Sequence, residues 1–384
     1  MSPPISQTYP FPQPTPPLAV ESEYWNERCE IRTDLLKKLR DLCREKLGRD
    51  RFPPTFWAFC QVADLTKLQD MIDDLRSACN TRSAQQILEP TIKDSDVCVD
   101  RWLQNVSVTK SSKSGTDHSG RSDTACNNCK KRDEYKCILT GIPDPEAAHI
   151  YPSRLLKAST REPRAVGRFW DILNVFWDEN RVQRWKAEIS GNPNDMQESK
   201  HGCFNMLCLD KYAHTLWGNG LFALRPMEIT NDRTLKVQFY WQRGLSDALT
   251  EIDLLTEPES SRGLFGAKNH SLPRFTGKVM DNREPEYRAI ASGDIFTLNT
   301  NNPRDMPLPS LALLEIQWNL QRVAGMSGAA ELNSISDSDD RDADTTSAVE
   351  LTRRIYEWLG LFTHSDEGFA VQQPPIEVRS MMQS

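Results

Sequence analysis

Between Ser107 and Thr124 the chain holds Ser111, Ser112, Ser114, Gly115, Ser119, Gly120 and Ser122 and almost nothing apolar. Side chains this small and polar bury too little apolar surface to offset the entropy of ordering the backbone, so no core is expected to run through residues 107–124. This linker separates the residues before it from those after it. Residues 1–22, with Pro3, Pro4, Pro10, Pro12, Pro14, Pro16 and Pro17, form a proline-rich tail that continues neither a helix nor a sheet ladder. Residues 331–348, with Asp337, Asp339, Asp340, Asp342 and Asp344, read as an acidic disordered segment.

Ahead of the linker, residues 23–106 read as a helical domain. Ile31, Leu35, Leu36, Leu39, Leu42, Cys43 and Leu47 recur at helical spacing, and Gly48 stops them. A second helix is expected after Pro53 and Pro54, with Phe56, Phe59, Val62, Ala63, Leu68, Met71, Ile72 and Leu75 on one side. A third covers Ala84 to Leu103 with an interruption around Pro90. These stripes are expected to be core and not a partner-binding groove.

Beyond the linker the pattern is mixed. Lys136 to Thr140 reads as a short strand, Gly141 to Pro145 as a turn, and Ala147 to Tyr151 as the returning strand. An apolar helix with Phe169, Trp170, Ile172, Leu173, Phe176, Val182, Trp185 and Ile189 runs to a loop around Gly191, Asn192 and Pro193. Trp170, Trp177 and Trp185 suit a core better than base stacking. Leu221 to Leu224 and Leu235 to Trp241 are strands joined around Asn231 and Asp232, the second alternating so that one face is buried. Leu311 to Val323 and Val349 to Phe362 are helical, the latter within a short-helix tail over 349–384.

Three stretches inside this block stand in a fixed order. The first is Glu146, Ala147, Ala148, His149, Ile150, Tyr151 and Pro152; the second is Asn205 to Leu209; the third is His214, nine residues beyond the asparagine. With Cys137, Leu139, Thr140 and Gly141 upstream and Phe222 to Pro226 downstream, the set resembles an HNH endonuclease domain, in the branch whose first histidine follows alanine. The resemblance implies an α+β protein: a helical N-terminal region, then a ββα-metal nuclease-like domain over 125–245 with a helical insertion and a small β-hairpin extension. A C-terminal extension covers 246–330.

The resemblance also implies the chemistry. His149 would take a proton from water so that hydroxide can attack a phosphodiester phosphorus, a task suited to a side chain that titrates near neutral pH. Asn205 would tie the hairpin loop so that the base points correctly, and His214 would ligate a divalent metal, Mg²⁺ or a transition ion. Two positions depart from the pattern. Ala148 stands where many HNH domains carry a second ligand, and Gly218 where this branch often places a carboxylate. One imidazole alone holds Mg²⁺ poorly, which leaves Asp210 and Asn219 as compensating candidates. The alternative function is a degenerate HNH domain that binds nucleic acid or protein without cutting.

Some HNH domains carry zinc in two C-x-x-C knuckles. Cys137 and Cys208 occupy the corresponding places, each without its second thiol, while Cys126, Cys129 and Cys203 lie nearby. A structural Zn²⁺ is therefore not favoured, and Cys137 and Cys208 read as small buried apolar residues. Ten cysteines without framework spacing, and no signal-peptide pattern, point to an intracellular protein. No run approaches the roughly 18 apolar residues of a membrane span. A net charge of −7 excludes a globally basic nucleic-acid binder. From Arg121 to Arg168, however, ten basic residues face six acidic ones around His149. The expected partner is nucleic acid, DNA in preference to RNA.

Overall fold

The leucine stripe of the first helix does what its spacing demands. α1 (Glu30–Leu47) buries Leu35, Leu36, Leu39 and Cys43 and ends at Gly48, whose left-handed backbone (φ 65°) returns its N–H to Arg44 O. The protein is described by a computed structural model over residues 29–103, 123–156, 163–190, 202–242, 251–259, 276–281 and 284–329. The expected tail at 1–22, most of the linker, the loop at 191–193, the acidic segment and the helix at 349–362 lie outside these residues. The fold is α+β.

After the two-residue strand β1 (Arg51–Phe52), the expected second helix is two helices, α2 (Pro54–Val62) and α3 (Leu65–Ser77). The break has a local cause. Ala63 is extended, and Asp64 donates its N–H to Phe176 O while its carboxylate accepts from Asp178 N and Arg181. α4 (Thr81–Leu103) runs through Pro90 without the expected interruption. Pro90 and Gln86 are both exposed, so the carbonyl that loses its partner faces water. α5 (Asp123–Arg132) starts inside the expected linker.

The expected hairpin of 136–140 with 147–151 does not form. β2 (Glu146–His149) pairs instead with a strand far along the chain, and Lys136 meets Pro143 only in an isolated bridge. Cys137 to Gly141 closes on itself through Gly141 N and Cys137 O, which leaves no strand there to pair. α6 (Pro163–Phe176) and α7 (Glu179–Ser190) then intervene before β3 (Met206–Leu209), α8 (Lys211–Gly218), β4 (Phe222–Thr230) and β5 (Thr234–Trp241). The insertion thus lies between the two strands of the ββα unit. It docks on the N-terminal helices, with Phe59 stacked on Phe176 at 4.6 Å. Trp170, Trp177 and Trp185 are buried, as core residues should be.

The 246–330 region contributes more than an appendage. β6 (Ile252–Asp253) pairs with β1, β7 (Thr276–Asp281) with β8 (Glu284–Ala289), and β9 (Ile295–Asn299) adds a third strand beside β5. Asn231 and Asp232, both at positive φ, turn β4 into β5. α9 (Leu311–Met326) is buried at every residue from Ala312 to Met326. A helix buried on all sides needs partners for its polar groups. Glu315 takes Arg181 and the Trp185 indole, Gln317 receives Leu224 N, and Gln321 donates to Trp217 O. α9 also meets the face of β5 expected to meet solvent, where Tyr240 packs on Trp318 at 5.2 Å; Gln238 is buried and donates to Gly293 O. The large apolar cluster extends from Leu35 to Met326, and a smaller one gathers Ala125, Cys129, Ala147, Cys203, Met206 and Cys208. Among the described residues, no helix is long and apolar enough to cross a membrane.

Candidate active site

β2, β3 and α8 make an antiparallel pair followed at once by a helix. The register sets Glu146 opposite Leu209, Ala147 opposite Cys208, Ala148 opposite Leu207 and His149 opposite Met206. Asp210 then caps α8, accepting from Tyr212 N at 3.0 Å and Ala213 N at 2.9 Å, and holds the Thr140 hydroxyl at 2.7 Å. This use of Asp210 as a cap removes it as a compensating ligand. Asn219 bonds back to Thr215 O within its own helix end.

Asn205 sits in the 3₁₀ turn Cys203–Asn205 just before β3, 97 % buried. Its amide brackets the backbone of one residue: Oδ1 accepts from Tyr151 N at 2.7 Å, and Nδ2 donates to Tyr151 O at 3.2 Å. Ile150 N adds a bond to Asn205 O. The side chain therefore fixes the chain where it leaves His149. Tyr151 itself stacks on Trp170, ring centroids 5.9 Å apart. The carbonyl of His149 accepts the Trp217 indole N–H at 2.9 Å, and the Trp217 carbonyl is held in turn by Gln321 of α9. His149 is buried, with 9 % of the residue exposed, and its Nε2 lies beneath the surface.

His214 lies one turn into α8, its N–H on Asp210 O. Its Nδ1 is 2.6 Å from Glu146 Oε2. Asn205 and His214 thus both meet the segment that carries His149, the first just after it and the second at the start of β2. An imidazole and a carboxylate within solvent reach form a nitrogen and oxygen donor chemistry that fits a divalent cation, and His214 is the residue that would hold it.

Residues 137–225 match the family model described as HNH endonuclease. This part of the chain belongs to the HNH family. Neither a search of curated proteins nor one of solved structures found a match.

Zinc knuckles in this HNH domain are a different matter. Cys129 Sγ, an Asp133 carboxylate oxygen and Cys208 Sγ lie within 4.8 Å of one another, three donors of the kind a metal uses. The positive group already lodged against them is Arg132. Its guanidinium grips both Asp133 oxygens at 2.7 and 2.9 Å, approaches Cys129 Sγ at 3.5 Å, and donates to the carbonyls of Cys203, Met206 and Pro307. Contact with Cys208 and burial both push the Cys129 thiol well above its usual range. Cys203 turns to the Pro307 carbonyl, and burial lifts it to about 11. Cys137 belongs to the other cluster, among the apolar core. The donor set fits a guanidinium cross-link between α5, β3 and the loop at Pro307 better than it fits a zinc ion.

The basic stretch is thinner than its sequence suggests. Arg132 is consumed in this ion pair, and Arg154 caps the carbonyls of Asp100 and Arg101, which leaves Lys131, Lys136 and Arg168 among the exposed cations. Three residues of this site were not singled out from sequence. Glu146 was part of the motif stretch, on the same strand face as Ala148, a signal that alternation could have given. Trp217 gave none, because its partner is a backbone carbonyl distant in sequence; Arg132 stands beside its partner Asp133, but the three carbonyls it also meets are distant.

Asn205→Ala strips the Asn205 side-chain partners from both backbone polar groups of the buried Tyr151. It is expected to cost about 1–3 kcal/mol, read as a lower urea midpoint. Asn205→Asp keeps the acceptor for Tyr151 N and sets an oxygen against Tyr151 O, so it should fall no closer to wild type than the lost donor allows.

Proposed function

We propose that the chain is an endonuclease that hydrolyses phosphodiester bonds in nucleic acid, DNA in preference to RNA, with His149 as general base and a divalent metal held at His214. The observation that carries this reading is the Asn205 clamp on Tyr151. Its geometry serves to aim the strand end bearing a histidine, and it joins the H, N, H order of the matched segment to a ββα unit.

In this mechanism, His149 accepts a proton from water while the water oxygen bonds to phosphorus and the P–O bond to the leaving oxygen breaks. Asn205 and the Trp217 indole hold the backbone where it leaves His149, so that strand end stays fixed when the proton moves. A bound cation would neutralise charge building on the phosphoryl and leaving oxygens. Buried apolar neighbours at Ala148, Ile150 and Leu207 keep bulk water from one side of the strand.

Supercoiled plasmid with Mg²⁺ or Mn²⁺ tests the reading. Nicking should appear with the ion and vanish when EDTA removes it. Ala148 and Gly218 favour a second reading, an HNH domain that binds nucleic acid without cutting. It would be chosen by salt-sensitive binding with no nicking under Mg²⁺, Mn²⁺ or Ni²⁺.

A further inference from the structure

Ala148 and Gly218 take away two ligands that related domains supply, yet the structure puts a carboxylate against the one imidazole that remains. The placement follows from the fold. Pairing sets Glu146 opposite Leu209, the last residue of β3, and Asp210 starts α8 immediately afterwards. A residue four positions past the cap returns over the strand end, and that residue is His214. Strand alternation turns Glu146 to the same side of β2 as Ala148, the position where a ligand is missing. The outcome is Oε2 of Glu146 at 2.6 Å from Nδ1 of His214, with the carboxylate side chain 48 % and the imidazole 27 % exposed.

At this distance one atom must donate, and the ionised carboxylate has only lone pairs to offer. Nδ1 therefore carries the proton. A neutral imidazole has one N–H, so the lone pair is on Nε2. We propose that Glu146 is a positioning residue for the metal site: by accepting the Nδ1–H of His214 it fixes the ring and its tautomer and presents Nε2 as the ligating nitrogen. Metal-binding histidines are commonly oriented by a carboxylate in this way, which also makes the ligating nitrogen more basic. The role suits a site short of ligands, because a single imidazole held in one orientation loses less freedom on binding than one that must first choose a tautomer and a rotamer. The inference rests on the reading of His214 as the metal-site imidazole.

Two measurements on the full chain test it. The first is metal-free: long-range ¹H–¹⁵N spectra of protein labelled at its six histidines, with His214 assigned through His214→Ala. Wild type should show His214 as the Nδ1–H tautomer. Glu146→Ala should shift it towards the Nε2–H form that free imidazole favours in water, and Glu146→Gln, whose amide oxygen still accepts, should keep most of the Nδ1–H form.

The second is Mn²⁺ alone, titrated and followed by electron paramagnetic resonance. Glu146→Ala should weaken binding about 10- to 100-fold, Glu146→Gln less, and His214→Ala most. Thermal melts check that each variant is folded; Glu146 is half exposed, so its replacement should leave the fold intact. Should Glu146→Ala keep both the wild-type tautomer and the wild-type affinity while His214→Ala loses Mn²⁺, Glu146 has no such role and the metal site at His214 stands. Should Glu146→Gln lose Mn²⁺ as fully as Glu146→Ala with the tautomer unchanged in both, the carboxylate is a ligand and the positioning role is wrong. Wild-type affinity in His214→Ala, or no Mn²⁺ binding by wild type, overturns the metal reading itself.

Discussion

Arg132→Met should lower the stability of the protein by about 3–5 kcal/mol, the usual penalty for removing one member of a buried ion pair. Both side chains are all but sealed, the Arg132 side chain at 0 % exposure and that of Asp133 at 1 %. Methionine fills much of the volume but leaves the Asp133 carboxylate charged in a site without a counter-ion. It also leaves the carbonyls of Cys203, Met206 and Pro307 without the guanidinium. The loss falls on β3 and the turn before it, so Asn205 loses its footing as well. Removing both charges, in Arg132→Met with Asp133→Leu, should recover part of the loss, because no buried charge is then left unpaired. The Cys208 N–H, which bonds Asp133, limits that recovery. Urea unfolding of the two single variants and the double variant decides it. A double variant less stable than the sum of the singles would show that the cluster is held by something other than the ion pair.

His149→Ala should slow phosphodiester cleavage by about 10²- to 10⁴-fold, the range that a positioned general base contributes. The backbone contacts that fix this strand end do not use the imidazole. The Asn205 amide grips Tyr151, and the Trp217 indole holds the His149 carbonyl. The variant should therefore fold, and its metal binding at His214 should be unchanged, which separates loss of the base from loss of the site. His149→Gly leaves a cavity of imidazole shape. Added imidazole should restore part of the rate, and a rate indifferent to imidazole would count against proton transfer at this position.

Much of the fold was legible wherever it is local. The α1 stripe and Gly48, the β4–β5 hairpin around Asn231 and Asp232, and the periodicity of Leu311 to Val323 all follow from residues a few positions apart. What failed is what depends on distant partners. Lys136 to Thr140 had strand-like residues and a Gly/Pro turn beside it, yet β2 pairs with β3 across 56 positions from His149 to Asn205, a choice made by tertiary packing. Asp64 broke a helix because Arg181 and Asp178 claim its carboxylate, and Pro90 was tolerated because its face is wet. The insertion helices dock on α2 and α4, and the helix of the 311–326 region stands at the centre of the core and not at its edge. At the site, the H, N, H order was readable as residue types in sequence. The Arg132 cross-link was not, since an arginine that meets three carbonyls looks, in sequence, like any surface cation.

The most direct measurement is the cleavage of supercoiled plasmid by wild type and His149→Ala, prepared identically, in Mg²⁺, Mn²⁺ and Ni²⁺. Wild type should nick in an ion-dependent way, and the variant at least about a hundredfold more slowly. Equal cutting by the two proteins, or no cutting by wild type with any of the three ions, contradicts the proposed reaction.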